Sequence, residues 1–282
     1  VCSAAQEVAA IADVAAARRD LERWGLRSRE IRSRIGVSGG YSIANLCVDL
    51  AAGEVDLLTG AIATAPYRSG PALIAELRAE HPWIGARHFG GAGAIPLRRP
   101  YDRLGFPGLA LLGNAACQVF SPHGSGVGTG LIAAAMLASA VGSAEDPGAE
   151  AATWAYARRF HAELGGLLAA VDGVRRASQA LDARGIEALL AAGLIHPASA
   201  RATLAQQLPR PGVRDALGLW SGLRDPAARS ALPRLAAALA PVPRIVLHAR
   251  RYPAAPDLRA LARWGERLAR LTGTAADPAG AA

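Results

Sequence analysis

The run Gly113-Asn114-Ala115-Ala116-Cys117-Gln118-Val119-Phe120-Ser121-Pro122-His123-Gly124-Ser125-Gly126-Val127-Gly128-Thr129-Gly130 is where residue types and spacing can do chemistry. Upstream, the apolar residues 109–112 predict a short buried strand. Downstream, residues 131–141 hold no Gly, Pro or charge and predict a buried helix. Between them, backbone N–H groups at a helix N-terminus have no side chain in front of them, so an anionic or electron-rich ligand group can approach closely. Gly124, Gly126 and Gly128 permit the approach, Val127 contributes an N–H, Pro122 fixes the turn, and the Asn114 carboxamide offers an acceptor.

Other motifs carry less. Gly36-Val37-Ser38-Gly39-Gly40 fits the Gly-x-Ser-x-Gly expression of a hydrolase elbow, which needs a strand before it and a helix after it. Here the charged segment 27–34 precedes it and strand-like residues follow, so a loop is expected. The six histidines are isolated, with no metal-ligand spacing, so no metal site is expected. His123 alone lies in the glycine run, and a surface-loop role is favoured over a ligand contact. Cys2, Cys47 and Cys117 form no Cys-x-x-Cys pair, which argues for a reducing compartment. Cys117 reads as a packed small residue. With no lysine anywhere, a Walker phosphate loop is excluded.

The glycine run resembles the second flavin-binding motif of FAD-dependent oxidoreductases of the geranylgeranyl reductase and p-hydroxybenzoate hydroxylase superfamily. That motif reads Gly-Asp-Ala-Ala, a few apolar residues, Pro, then Gly-x-Gly-hydrophobic-Gly. Gly113, Ala115, Ala116, Pro122, Gly124, Gly126, Val127 and Gly128 fall in place, and Ile95-Pro96-Leu97-Arg98-Arg99-Pro100 matches an upstream family segment. From Gly39-Gly40-Tyr41-Ser42 to about residue 140, the chain looks like the geranylgeranyl reductase branch. The resemblance implies FAD, with NAD(P)H as a candidate reductant, and a hydrophobic, polyprenyl-like substrate whose C=C bond is reduced by hydride from the flavin. Its cofactor-binding residues would be Gly113, Asn114, Pro122, Gly124, Gly126, Val127 and Gly128, and Tyr41 is the candidate proton donor. Asn114 stands where the family has Asp, which keeps an acceptor for a ribityl hydroxyl but removes its charge. The family's opening Gly-x-Gly-x-x-Gly unit for the ADP half is absent, and Cys2–Val8 resembles an interior segment, so an N-terminally incomplete copy is expected. Two alternatives stay open: a flavin-dependent aromatic monooxygenase, and a non-catalytic, flavin-free hydrophobic-ligand or interaction protein.

Composition supplies the frame. With 51% hydrophobic residues, 282 residues can build a sizeable core in one or two domains. The formal charge of +8 would suggest nucleic acid if arginines clustered with aromatics, but aromatics are only 5% and arginines are spread along helices. No nucleic-acid partner is expected, and a peripheral attraction to acidic lipid headgroups suits the charge better. The apolar run 131–141 is shorter than the about 20 residues of a membrane span, and a cytoplasmic protein is expected.

The expected fold class is α+β, with an antiparallel substrate-side sheet, a partial FAD-binding domain and a helical C-terminal region. The expected domains are 1–107, sheet with an N-terminal helix; 108–142, flavin motif and helix; 143–271, helical; and 272–282, a disordered tail. Asp13 and Gly25 bound a helix over 13–24; residues 43–50 and 54–62 form a hairpin; Ser69 and Pro71 open a helix over 72–80; and 85–97 is a strand. Residues 143–148 read as a linker. Helices follow at 149–171, 174–182, 184–192, 197–206, 227–239 and 256–271, with Pro209, Pro211, Pro241 and Pro243 marking loops. Trp154, Tyr156 and Phe160 read as core residues.

Overall fold

The structure, a computed structural model, describes residues 1–208 and 212–277. Two units divide the chain, residues 1–95 with 179–187 and residues 96–178 with 188–282. Sheet and helices are both present, and the fold class is α+β with an antiparallel sheet.

In the first unit, β1 (Cys2–Ile11) is followed by α1 (Val14–Trp24), β2 (Ile31–Ile35), β3 (Ser42–Asp49), β4 (Glu54–Ile62), α2 (Gly70–Glu80) and β5 (Ile84–Ile95). The strands form one antiparallel sheet in the order β2-β3-β4-β1-β5. Alternation decides which face is covered. Ala44, Leu46, Val48, Val55 and Leu57 share a face with Ala5 and Ala9 and are buried with Ala17 and Leu21 of α1 and Ile74 and Leu77 of α2. The caps match the expectation: Asp13 accepts from the Ala16 N–H at 2.9 Å, and Gly25 ends α1 with φ +65°. Gly70 is required by close approach, because a Cβ there would lie 2.7 Å from the β1 backbone at Ala4 and Ala5.

The expected hairpin is β3–β4. Strands β1 and β2 were not expected, since Ala-rich and Arg-rich stretches have weak strand signals. In β2 the arginines are held at the sheet edge, Arg32 over the Trp24 ring at 4.3 Å and Arg34 on Glu80 at 2.5 Å. The Gly36–Gly40 segment is a loop between strands, in which Ser38 Oγ accepts from the Arg68 N–H at 2.6 Å.

The second unit opens with a two-stranded ribbon, β6 (Gly105–Phe106) and β7 (Leu109–Ala110), then a 3-10 turn (Gly113–Ala116) and α3 (Val127–Gly142). Helix α4 (Glu150–Phe160) continues through a π-turn (His161–Gly165) into α5 (Gly166–Gln179). Helix α6 (Ala183–Ala191) begins in the segment that belongs to the first unit, and α7 (Pro197–Leu204), α8 (Val213–Gly222), α9 (Pro226–Leu239), α10 (Val242–Ala249) and α11 (Leu258–Thr272) belong to the second. Trp154, Tyr156 and Phe160 are buried in the core with Phe120, Leu168, Ile245, Tyr252 and Trp264.

Several expectations need correction. The strand over 109–112 is only two residues long and Leu109 is exposed, because the chain turns at once into the 3-10 helix. Helix α3 extends further than 131–141 and buries only Thr129, Ala133 and Met136. Pro243 lies in the first turn of α10, where a missing N–H costs no helical hydrogen bond. Together α9 and α10 make Pro226–Ala249 long and apolar enough to span a membrane by length and composition. Helix α8 was not anticipated. The tail is ordered through Asp277, whose carboxylate accepts from the Asp102 N–H at 2.8 Å and pairs with Arg98. Residues 278–282, Pro209 and Pro211 lie outside the described residues.

Candidate functional site: the turn before α3

Between β7 and α3 the chain makes two tight turns, and a buried carboxamide ties them together. Gln118 Oε1 accepts from the Gly113 N–H at 2.8 Å, and Gln118 Nε2 donates to Tyr156 Oη at 2.6 Å. Tyr156 in turn donates to the Leu111 carbonyl at 3.0 Å, and Thr129 Oγ1 in α3 donates to the Gln118 carbonyl at 2.6 Å. One fully buried residue, through its side chain and its carbonyl, therefore links the 3-10 turn, α4 and α3. The second turn is closed by Phe120 N–H to Ser125 O at 2.8 Å, with Pro122 inside it.

This scaffold presents a bare edge. Gly113 has φ +61°, a left-handed conformation, and nothing lies within 4 Å of where its Cβ would be. Gly126 is the N-cap of α3 and no side chain caps the helix, so its first amides keep their donors. Val127, in the first turn, is 77% exposed. Asn114 is exposed on the 3-10 turn, its Oδ1 3.4 Å from the position a Gly126 Cβ would take. The expected residues Gly113, Asn114, Pro122, Gly124, Gly126, Val127 and Gly128 thus belong to one continuous turn system. Tyr41 lies in the other unit, one residue before β3.

The rim is formed by the chain itself. His123 Nε2 is 2.9 Å from the Thr203 carbonyl at the end of α7, and Gln206 Nε2 donates to Ser125 Oγ at 3.3 Å. The Gln206 amide also lies 3.8 Å from where a Gly128 Cβ would be. Sequence reading missed both glutamines. Gln118 carried a legible signal, as the one polar side chain between Ala115 and Phe120; Gln206 carried none, because its contact spans about 80 residues of sequence.

Beneath the turn, the Arg98-Arg99 pair serves the structure. Buried Arg99 pairs with Asp102 and bonds Thr274 Oγ1 at 3.2 Å, while Arg98 covers the Tyr101 ring at 4.3 Å. Burial raises the Asp102 carboxyl against the opposing pull of Arg99. Cys117 is buried, and desolvation pushes its thiol up, away from the reactive thiolate.

The fold has a known counterpart. It is similar to the crystal structure of a geranylgeranyl bacteriochlorophyll reductase-like protein from Thermoplasma acidophilum. The TM-score is 0.53 at 13% identity, over 83% of this chain and 54% of that one. At that identity the likeness shows the fold. The chain spans about half the length of this counterpart. No protein-family model matches the sequence, and no curated protein matches it.

Proposed function

We propose that the turn before α3 holds the isoalloxazine end of FAD in an oxidoreductase that reduces C=C bonds of a hydrophobic, polyprenyl-like substrate. The observation that carries this reading is the uncapped N-terminus of α3 beside the open, left-handed Gly113. Those features fit a flat, electron-rich group: the edge has donors, no side chains in front of Gly113, and an acceptor in Asn114. Likeness of fold to a reductase-like protein supports the same reading.

When bound, the flavin would supply hydride chemistry; the chain supplies position and electrostatics. Free amides at the start of α3, equivalent to about half a positive charge, would stabilise negative charge on the pyrimidine edge. Asn114 would accept from a ribityl hydroxyl, and Gly124, Gly126 and Gly128 would keep the approach clear. Tyr41 remains the proposed proton donor. The ADP half would need a dinucleotide-binding unit outside these 282 residues, and the exposed apolar side of α3 is the surface we assign to it.

The test is to express the chain with the reading frame that precedes it and measure flavin absorption and FAD by mass spectrometry. A yellow protein with stoichiometric FAD is expected. Gly128→Leu, at an exposed helical position with room for a side chain, should weaken FAD binding on the order of tenfold, about 1.4 kcal/mol, with the fold unchanged. A colourless protein would reject the proposal. It would favour a flavin-free ligand or interaction protein, a reading that the Gln206 contact across the rim already supports.

A further inference from the structure

The charge of this chain is concentrated in one stretch. Residues 188–251 contain nine arginines against only Asp215 and Asp225, a net +7 out of the chain's +8. Elsewhere the acidic residues nearly balance the arginines, and Arg23, Arg34, Arg78, Arg99, Arg103 and Arg175 are among those that hold a carboxylate. Arg224, Arg229, Arg244 and Arg250 are exposed, and among the described residues none of these four holds a carboxylate.

Exposed apolar side chains accompany these charges. On α8, Gly218 and Gly222 are buried one turn apart, and a Cβ at Gly218 would lie 2.7 Å from the Ala192 carbonyl. A helix with that face packed must turn Trp220 to the opposite side. Trp220 is 59% exposed, with Leu217 at 62% and Leu223 at 55% beside it, and the Arg224 guanidinium lies 3.5 Å above the indole. Leu239 on α9 and Leu247 on α10 are also half exposed.

We infer that α8, α9 and the turn between them form a docking surface for an anionic lipid bilayer. Indole and leucine side chains enter the headgroup–acyl boundary, and arginines bind the lipid phosphates above it. Stacking on Trp220 keeps the Arg224 charge at headgroup level. Charge decides the occupant. A second copy of this surface would set its exposed Arg224 and Arg229 against those of the first, and a nucleic acid would leave the leucines in water. The inference stands apart from the flavin reading, since it concerns neither the glycine turn nor any cofactor.

The test is co-sedimentation of the full chain with phosphatidylcholine vesicles, with and without phosphatidylglycerol, at low and high salt. Binding is expected only to the phosphatidylglycerol vesicles and should weaken with salt. Neutralising two arginines, in Arg224→Gln with Arg229→Gln, should reduce partitioning about thirtyfold at low salt, roughly fivefold per charge. Tryptophan emission should shift to the blue on binding, and Trp220→Phe should abolish the shift while leaving circular dichroism unchanged. Equal binding by the arginine variant would overturn the inference, as would no binding to any vesicle. Preference for a duplex DNA over the vesicles would replace lipid with nucleic acid. Carbonate-resistant insertion would mean that Pro226–Ala249 spans the bilayer, and would overturn a surface mode.

Discussion

Gln118 shows how much of the candidate site depends on one side chain. Its buried carboxamide meets the backbone donor of half-buried Gly113 and the buried Tyr156 hydroxyl. Gln118→Ala would remove the acceptor of the Gly113 N–H and one of the two partners of the Tyr156 hydroxyl, at a cost of roughly 1–3 kcal/mol. Urea unfolding should therefore show a midpoint clearly below that of the parent. Tyr156→Phe should cost a comparable amount, roughly 1–3 kcal/mol, because the buried Gln118 Nε2 is then left without an acceptor. Parental stability in Gln118→Ala would mean that the turn is held by its backbone alone. The residue was legible as an oddity of composition, but its partner Tyr156, 38 positions away, was not.

At the scale of elements, periodicity and caps were read well where they are local. Asp13, Gly25 and Ser69 bound their helices as expected, and the β3–β4 hairpin follows from the turn at Gly53. Strand β1 was missed although it pairs on both edges, because Ala-rich strands acquire their burial only from the neighbours they meet. Helix α3 shows the opposite error: an apolar sequence was read as buried, yet hydrophobicity does not say whether a partner is present. Gly70 gives the sharpest test of helix-on-sheet packing. Gly70→Ala places a methyl 2.7 Å from the β1 backbone and should cost about 1–3 kcal/mol by overpacking, read as a lowered thermal midpoint. A neutral result would show that α2 can lift from the sheet without loss.

Across the whole molecule, burial of histidines sets the response to acid. Desolvation lowers the pKa of His81, His161 and His248, and His161, stacked on Tyr252 at 4.9 Å, is pulled down to about 3. In the unfolded chain these rings take up protons near pH 6.5, whereas the folded His161 does so only near 3. Protons therefore favour unfolding, so stability present above pH 6.5 is lost as pH falls toward 3. The raised Asp102 carboxyl acts in the opposite sense, because its folded state takes up protons first. Comparing the parent with His161→Asn isolates the histidine: between neutral pH and about pH 5 the variant should lose less stability than the parent. An equal loss in both proteins would assign the acid response to other groups. The glycine turn, the helix caps and the α+β class were legible in the sequence alone, because these rest on local backbone preference and short-range alternation. Which side chains close the turn, which apolar faces stay open and which arginines stand exposed came from the tertiary structure, because burial and charge pairing depend on residues far apart in sequence.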